Sequence, residues 1–408
     1  MSRQAAASKM CRMYEMRFMR IALRLARRGK GATSPNPMVG AVLVKGGEII
    51  GRGWHRRAGL PHAEIEALRD AQRRDHPSLG ATLYVTLEPC CTHGRTPPCT
   101  DAIIAAGIKS VVIGATDPNP NHTGKGFKIL RRAGIETVSA NGKSQWGERP
   151  CGPGNDVRHG SSGTAPHQKL ADECAKLNDA FNHWVVHRTP FVTVKAAMTL
   201  DGKIATAGGE SKWITGAKAR AHGMKLRLGS DAILAGINTI LADDPGLTVR
   251  TGTPGAPKLR RFVLDSMART PLKARVVSDE FAALTTIVVV KQAPKKRVEA
   301  LARRVKVLVA PANKSQIDLR WLMKKLGAEN VTSLLVEGGG EVNASFLLGG
   351  LAQRVAFFYA PKILGGRDAR KGVAGDGAIC LGGAVQLREV EWRRLGEDLL
   401  LAASVVKR

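Results

Sequence analysis

The stretch ATLYVTLEPCCTHGRTPPCTDAIIAAGIKSVVIGAT (residues 81–116) decides the fold class of this chain. Its ends, ATLYVTLE and KSVVIGAT, are apolar, β-branched runs of strand length. Between them CTDAIIAAG reads as a short helix that Gly107 closes. Strand, helix and strand in that order make a βαβ unit, whose parallel strands need helices over their faces. The neighbouring segments extend the pattern. MVGAVLVKGGEIIGRGW (38–54) is a hairpin turning at Gly46-Gly47, HAEIEALRDAQRR (62–74) a helix, and KGFKILRRAG (125–134) a helix closed by Gly134.

A second α/β pattern begins at PFVTVKAAMTLDGKI (190–204) and carries strand-like DAILAG, RRFVLD, TTIVVVK, VKVLVA, VTSLLVE and RVAFFYAPKIL. Between the halves, residues 141–168 are rich in Gly, Ser, Pro and Asn and lack apolar periodicity, as a linker or insert does. A helix, KLADECAKLNDAFNHWVVHR (169–188), follows it. The expected organisation is a first domain over 1–144 with a basic tail at 1–13, an insert, linker and connecting helix over 145–189, and a second domain over 190–408.

The 408 residues are 43% hydrophobic and 24% charged, as in a soluble globular protein. No apolar run is long enough to span a membrane. The 7 cysteines are odd in number and clustered, which fits a reduced, cytoplasmic setting better than a disulfide framework. Nine Lys/Arg against one Glu in the first 30 residues also suit an organelle-targeting peptide, but Tyr14, Phe18, Ile21 and Leu25 recur at helical spacing, as in a core-facing helix. A net charge of +29 invites a nucleic-acid reading. Aromatics at 4% are too few for long base-stacking platforms, and sites for phosphorylated small molecules explain basic residues equally well.

The cysteine cluster carries the chemistry. A catalytic zinc takes three protein ligands and keeps one position open. His62, Cys90 and Cys99 can supply the three, with Glu64 beside them as a proton shuttle. His-x-Glu followed by Pro-Cys-x-x-Cys is the signature of zinc nucleobase deaminases. His62-Ala63-Glu64 and Pro89-Cys90 fit it, whereas eight residues, not two, separate Cys90 from Cys99. A structural zinc with Cys91 or His93 as fourth ligand is the competing reading. In the second half, LLVEGGGEVNASFL (334–347) is a strand, a glycine-rich turn and a helix, suited to a phosphate or serving simply as a tight turn.

SPNPMVGAV, HAE, TLEPC, HGRTPPC and DPNP, in that order, resemble the bifunctional riboflavin-biosynthesis deaminase/reductase family, over roughly 14–140 and 170–408. The resemblance implies a cytidine-deaminase-like α/β/α domain followed by a dihydrofolate-reductase-like α/β domain. It implies zinc and NADPH as cofactors and a phosphorylated pyrimidine as substrate; no nucleic acid and a homo-oligomer are expected beside them. Asn36 and His55 then fall in the deaminase pocket, although SPNP is a turn in any protein. KAAMTLDGKIA, GESKWIT, LADDPGLTVR and VLDS match the reductase. The resemblance places NADPH against Ala197, Trp213, Thr239, Asp243 and the loop Gly339, Gly340, Glu341, Val342, Asn343, Ala344 and Ser345. It places substrate against Ser211, Arg227, Leu247, Arg250 and Glu337, with the two arginines on a phosphate. The tail before Tyr14, Cys91 and the insert near 145–168 depart from the family pattern.

Two other functions compete. A tRNA-type deaminase would suit the charge but predicts the short cysteine spacing and no NADPH domain. A nucleic-acid-binding protein on a retired scaffold would have no reason to keep His62, Glu64, Cys90 and Cys99 together.

Overall fold

The computed structural model of the chain describes residues 16–93, 97–139, 166–250 and 259–406. Tyr14, the basic tail, residues 94–96 of the HGRTPPC motif and the insert up to 165 lie outside them. The chain forms two compact units, Met1–Val186 and His187–Arg408.

In the first unit, helix α1 (16–26) precedes the hairpin of β1 (Gly40–Lys45) and β2 (Glu48–Trp54). Then come α2 (Ala63–Arg73), β3 (Thr82–Val85), α3 (Cys99–Ala105), β4 (Ser110–Ile113), α4 (Lys125–Arg132) and β5 (Glu136–Ser139). The sheet order is β2-β1-β3-β4-β5. β1 runs antiparallel to both neighbours, and β3, β4 and β5 run parallel. The Gly46-Gly47 turn has φ of 61° and 84°, the left-handed pair that a two-residue hairpin loop requires.

Helices cover both faces of this sheet. Ala63, Ala67 and Ala71 of α2, Ile103 of α3 and Leu130 of α4 pack on one face with Ala41, Leu43, Leu83, Val85, Val111 and Ile113. Phe18, Met19 and Leu23 of α1 pack on the other with Val42, Val44, Tyr84 and Val112. This is the expected α/β/α layering. Helix α2 lies unusually low on the sheet. A Cβ on Gly51 would sit 2.3 Å from the Ala67 carbonyl oxygen, and one on Gly53 would sit 2.2 Å from that of Ala63. Only glycine lets the two backbones approach this closely.

The helix expected over 169–188 is two helices, α5 (Pro166–Leu177) and α6 (Asp179–His187). Asn178 breaks it, for a tertiary reason. Its side chain accepts the Met38 N–H at 2.8 Å and donates to the Met38 carbonyl at 3.0 Å, satisfying both backbone groups of a residue 140 positions away. Leu170 and Cys174 of α5 join the α1 face of the core.

The second unit is built on one nine-stranded sheet. Its elements are β6 (Phe191–Thr199), β7 (Lys203–Ala205), α7 (Ala217–Leu228), β8 (Ala232–Gly236), α8 (Ile237–Asp243) and β9 (Arg260–Leu264). They continue with α9 (Arg275–Ser278), β10 (Thr285–Val290), α10 (Lys295–Ala302), β11 (Lys306–Ala310), β12 (Ala312–Asn313) and β13 (Gln316–Ile317). After α11 (Leu319–Ala328) come β14 (Ser333–Val336), α12 (Gly340–Leu348), β15 (Arg354–Ala360), β16 (Arg370–Lys371), β17 (Leu387–Leu395) and β18 (Asp398–Val405). The order β11-β10-β9-β8-β14-β6-β15-β18-β17 is parallel as far as β15 and antiparallel in the closing hairpin. Sequence patterning missed that hairpin. All of β17 except its two ends is exposed, so no alternation of apolar and polar residues marks it.

Replacing Asn178 by Ala leaves two partly buried backbone groups of Met38 without their side-chain partner. The first unit should lose about 1–3 kcal/mol of stability, read as a lowered urea midpoint at unchanged slope.

Candidate functional sites

The first site sits where α2, the loop after β3 and α3 begin. His62 is the residue that precedes α2, Glu64 lies in its first turn, and Cys99 opens α3. His62 Nδ1 lies 3.3 Å from Cys99 Sγ and 3.5 Å from Cys90 Sγ, and the Cys99 N–H points at Cys90 Sγ from 3.4 Å. The three ligand atoms lie within 4.8 Å of one another, and Cys91 and His93 are not part of the group. One imidazole and two thiols converging in this way fit a zinc ion with a position to spare.

The electrostatics follow from burial and crowding. Burial first, then Cys90, raises Glu64 to about 7. The hydrogen bond from Cys99, aided by His62, lowers the Cys90 pKa to about 4 against burial. Cys90 and burial raise Cys99, and the bond to Cys90 raises His62.

Asn36 and His55 are brought to the same place. The His55 ring meets that of His62 edge-on at 5.3 Å. His55 Nδ1 faces the Pro61 carbonyl at 3.1 Å, so it carries the proton; Nε2 then accepts from the Asn36 amide at 3.2 Å. Burial lowers the His55 pKa, in keeping with a neutral ring. This arrangement commits Asn36 Nδ2 and leaves its Oδ1 as an acceptor. Glu88 of TLEPC is a support. Its buried carboxylate accepts the backbone N–H groups of Asp117, Gly124 and Gly126.

The second site is a cavity of about 540 Å³ in the C-terminal unit, adjoined by another of about 630 Å³. Ala197, Ser211, Trp213, Arg227, Thr239, Asp243, Leu247, Arg250, Glu337, Gly339 and Asn343 all line the first. Gly340, Glu341 and Val342 line the second, which shares Ser211, Thr239, Asp243 and Gly339 with it. Ala344 and Ser345, further along α12, line neither; Ala344 is buried, and the Ser345 hydroxyl turns back to the Glu341 carbonyl. Gly339 has φ of 79°, and a Cβ on Gly340 would lie 2.3 Å from the Lys371 carbonyl, so this loop presents bare backbone. Asn343 is 2% exposed and its Oδ1 has no partner among the described residues. An unfilled acceptor and open glycine backbone on a cavity wall fit a phosphate-bearing dinucleotide with hydrogen-bond donors.

The two arginines are not equivalent. Arg227 is 9% exposed and already engaged: Nε and Nη2 grip Glu337 at 2.9 and 3.0 Å, and Nη1 donates to the Thr248 carbonyl. Arg250 is exposed and makes no ion pair among the described residues. The expected shared grip on one phosphate therefore meets an Arg227 whose fork is taken. Ser211 donates to Asp243 at 2.8 Å. Sequence reasoning missed Lys195, whose Nζ lies 3.6 Å from Glu337 on the cavity wall. The signal was there: it opens KAAMTLDGKIA, and period-two alternation puts it on the same face of β6 as Ala197.

Residues 13–115 match the family described as the cytidine and deoxycytidylate deaminase zinc-binding region, and residues 190–401 match the RibD C-terminal domain. The riboflavin biosynthesis protein RibD of Actinobacillus pleuropneumoniae is 41% identical over 394 residues, spanning 97% of this chain and 96% of its own length. That of Escherichia coli K12 is 38% identical, spanning 94% and 97%. RibD of Acinetobacter baumannii superposes with a TM-score of 0.78 at 32% identity, over 97% and 100% of the two chains. A Thermotoga maritima diaminohydroxyphosphoribosylaminopyrimidine deaminase/5-amino-6-(5-phosphoribosylamino)uracil reductase does so at 0.76 and 33%, over 97% and 99%.

Burial would push Glu337 up, but Lys195 and Arg227 outweigh it and hold its pKa at about 2, below the ordinary 4.5. A depressed carboxylate stabilises the fold above its unfolded pKa, and that stability is lost as pH falls through the folded value. Glu337→Gln should therefore cost the second unit roughly 3 kcal/mol near neutral pH. Thermal unfolding of the two proteins should converge as pH drops from 4.5 towards 2.

Proposed function

The chain belongs to the RibD family of bifunctional riboflavin-biosynthesis proteins, and from that premise we propose how its residues divide the two reactions. The first unit deaminates 2,5-diamino-6-ribosylamino-4(3H)-pyrimidinone 5′-phosphate, and the second reduces the ribosyl chain to give 5-amino-6-ribitylamino-uracil 5′-phosphate. The convergence of His62 Nδ1 with the sulfurs of Cys90 and Cys99 beside buried Glu64 carries the deaminase assignment.

His62, Cys90 and Cys99 hold the zinc, which when bound supplies a Lewis acid that activates water toward the amine-bearing ring carbon. Glu64 carries the proton that must travel from water to the departing ammonia. His55 fixes the Asn36 amide, so that Oδ1 faces a sugar hydroxyl. In the second unit NADPH, when bound, would supply the hydride. The glycine loop at 339–342 and Asn343 hold the cofactor, with Thr239 and Asp243 on the shared wall of the two cavities. Arg227 and Lys195 keep Glu337 ionised as an acceptor for substrate hydroxyl or amine groups, and exposed Arg250 takes the substrate phosphate.

Ammonia release and NADPH oxidation by the purified protein test the pair of reactions directly. Cys99→Ser should lose zinc and deamination, whereas Cys91→Ser should keep both. Glu64→Gln should slow deamination by about 10²- to 10⁴-fold while reduction of pre-deaminated substrate continues at the wild-type rate. Arg250→Ala should weaken substrate binding by about 1.5–3 kcal/mol and leave NADPH affinity unchanged. A rise in the NADPH dissociation constant instead would put Arg250 in the cofactor site.

A further inference from the structure

A chain of side chains in the first unit has no part in the chemistry above. Glu88, two residues before Cys90, is 4% exposed and accepts from the backbone N–H groups of Asp117, Gly124 and Gly126 at 3.2, 3.1 and 3.0 Å. The Asp117 carboxylate accepts the Asn119 N–H at 2.8 Å and faces His122 Nδ1 at 3.1 Å. His122 Nε2 lies 2.7 Å from the hydroxyl of Thr92. A carboxylate only accepts, so Nδ1 carries a proton; in the neutral ring Nε2 then accepts and Thr92 donates. Thr92 stands two residues after Cys90. The 117–126 loop thus holds the chain on both sides of one metal ligand.

We propose that His122 is a positioning residue for deamination, fixing through Thr92 the stretch of chain that leaves Cys90. The inference rests on the deaminase reading above. Cys90 and Cys99 are separated by eight residues, yet their sulfurs belong to one group of ligand atoms within 4.8 Å. The chain at Cys90 and the chain at Cys99 therefore meet at the metal site. The two anchors differ in kind. The Glu88 anchor is buried and made of three backbone bonds, whereas the Thr92 anchor is a single bond between side chains at the surface. Losing the second leaves Cys90 where the first holds it and frees only the chain at Thr92. Substrate affinity depends on His122 and Thr92; metal binding does not.

The test compares Thr92→Val, Thr92→Ser, His122→Ala and the double variant Thr92→Val/His122→Ala in the full-length zinc protein. Zinc per chain, deaminase KM and kcat, and reductase rate on pre-deaminated substrate are measured for each. Thr92→Val and His122→Ala should each raise deaminase KM by about three- to tenfold, the worth of one hydrogen bond. Zinc content, kcat and the reductase rate should stay at wild-type values. Thr92→Ser keeps the donor and should behave as wild type, and the double variant should be no worse than either single one. Unchanged KM in Thr92→Val, multiplying effects in the double variant, or loss of zinc from either single variant would each overturn the proposal. Wild-type protein that holds zinc and releases no ammonia would instead overturn the deaminase reading itself.

Discussion

Gly51 and Gly53 let α2 rest on β2 backbone to backbone, and the placing of the zinc ligands depends on that approach. His62 and Glu64 belong to the start of α2, so their height above the sheet is the height of the helix. A side chain at either glycine would drive the Ala63 and Ala67 carbonyls outward by more than an ångström, given contacts of 2.2 and 2.3 Å. The cysteines come from elements fixed separately: Cys90 from the chain leaving β3, Cys99 from the first turn of α3. A set of donor atoms a few ångströms across is thus assembled from separate elements on one sheet. The small residues Ala63, Ala67 and Ala71 that make the close packing possible are the same ones that carry the helix's share of the core.

The second unit solves a different problem, that of keeping an anion on a cavity wall. Glu337 has two cations close to it, Lys195 at 3.6 Å and Arg227 through a two-pronged grip. Excess positive charge keeps the carboxylate ionised despite its burial, and it leaves a net cation on the cavity wall. An anionic substrate is attracted by that excess before any specific contact forms. This gives a local meaning to part of the +29 net charge, much of which is spread over exposed surface.

What the sequence makes legible, and what it hides, divides along physical lines. Metal ligands are chemically unusual residues in dense motifs, so His62, Glu64, Cys90 and Cys99 stand out before any fold is known. The βαβ order of 81–116 was legible because its strands are apolar runs punctuated by Pro and Gly. Asn178 was not, because nothing local distinguishes a helix break made for the sake of Met38. The bond between Arg227 and Glu337 joins residues 110 positions apart, and the one between Thr92 and His122 spans 30. Each half looks like an ordinary surface residue until its partner is in place. Motif matching singled out Arg227 and Glu337, which line one cavity, yet it could not see that they answer one another.

The C-terminal hairpin has a consequence for how the chain fails. β18 covers β15, whose Val355, Phe358 and Ala360 are buried, and β17 then forms the sheet's outer margin. That margin carries Arg388, Glu389, Glu391, Arg393 and Arg394 and a break in register between Arg388 and Glu391. Charge and irregular pairing make a poor template for a strand from another molecule. A chain cut short before residue 387 would lose both strands and leave the row of N–H and C=O groups on β15 uncovered beside an apolar run. Premature termination there would yield a protein that recruits its neighbours into aggregates, with damage out of proportion to the twenty or so residues removed.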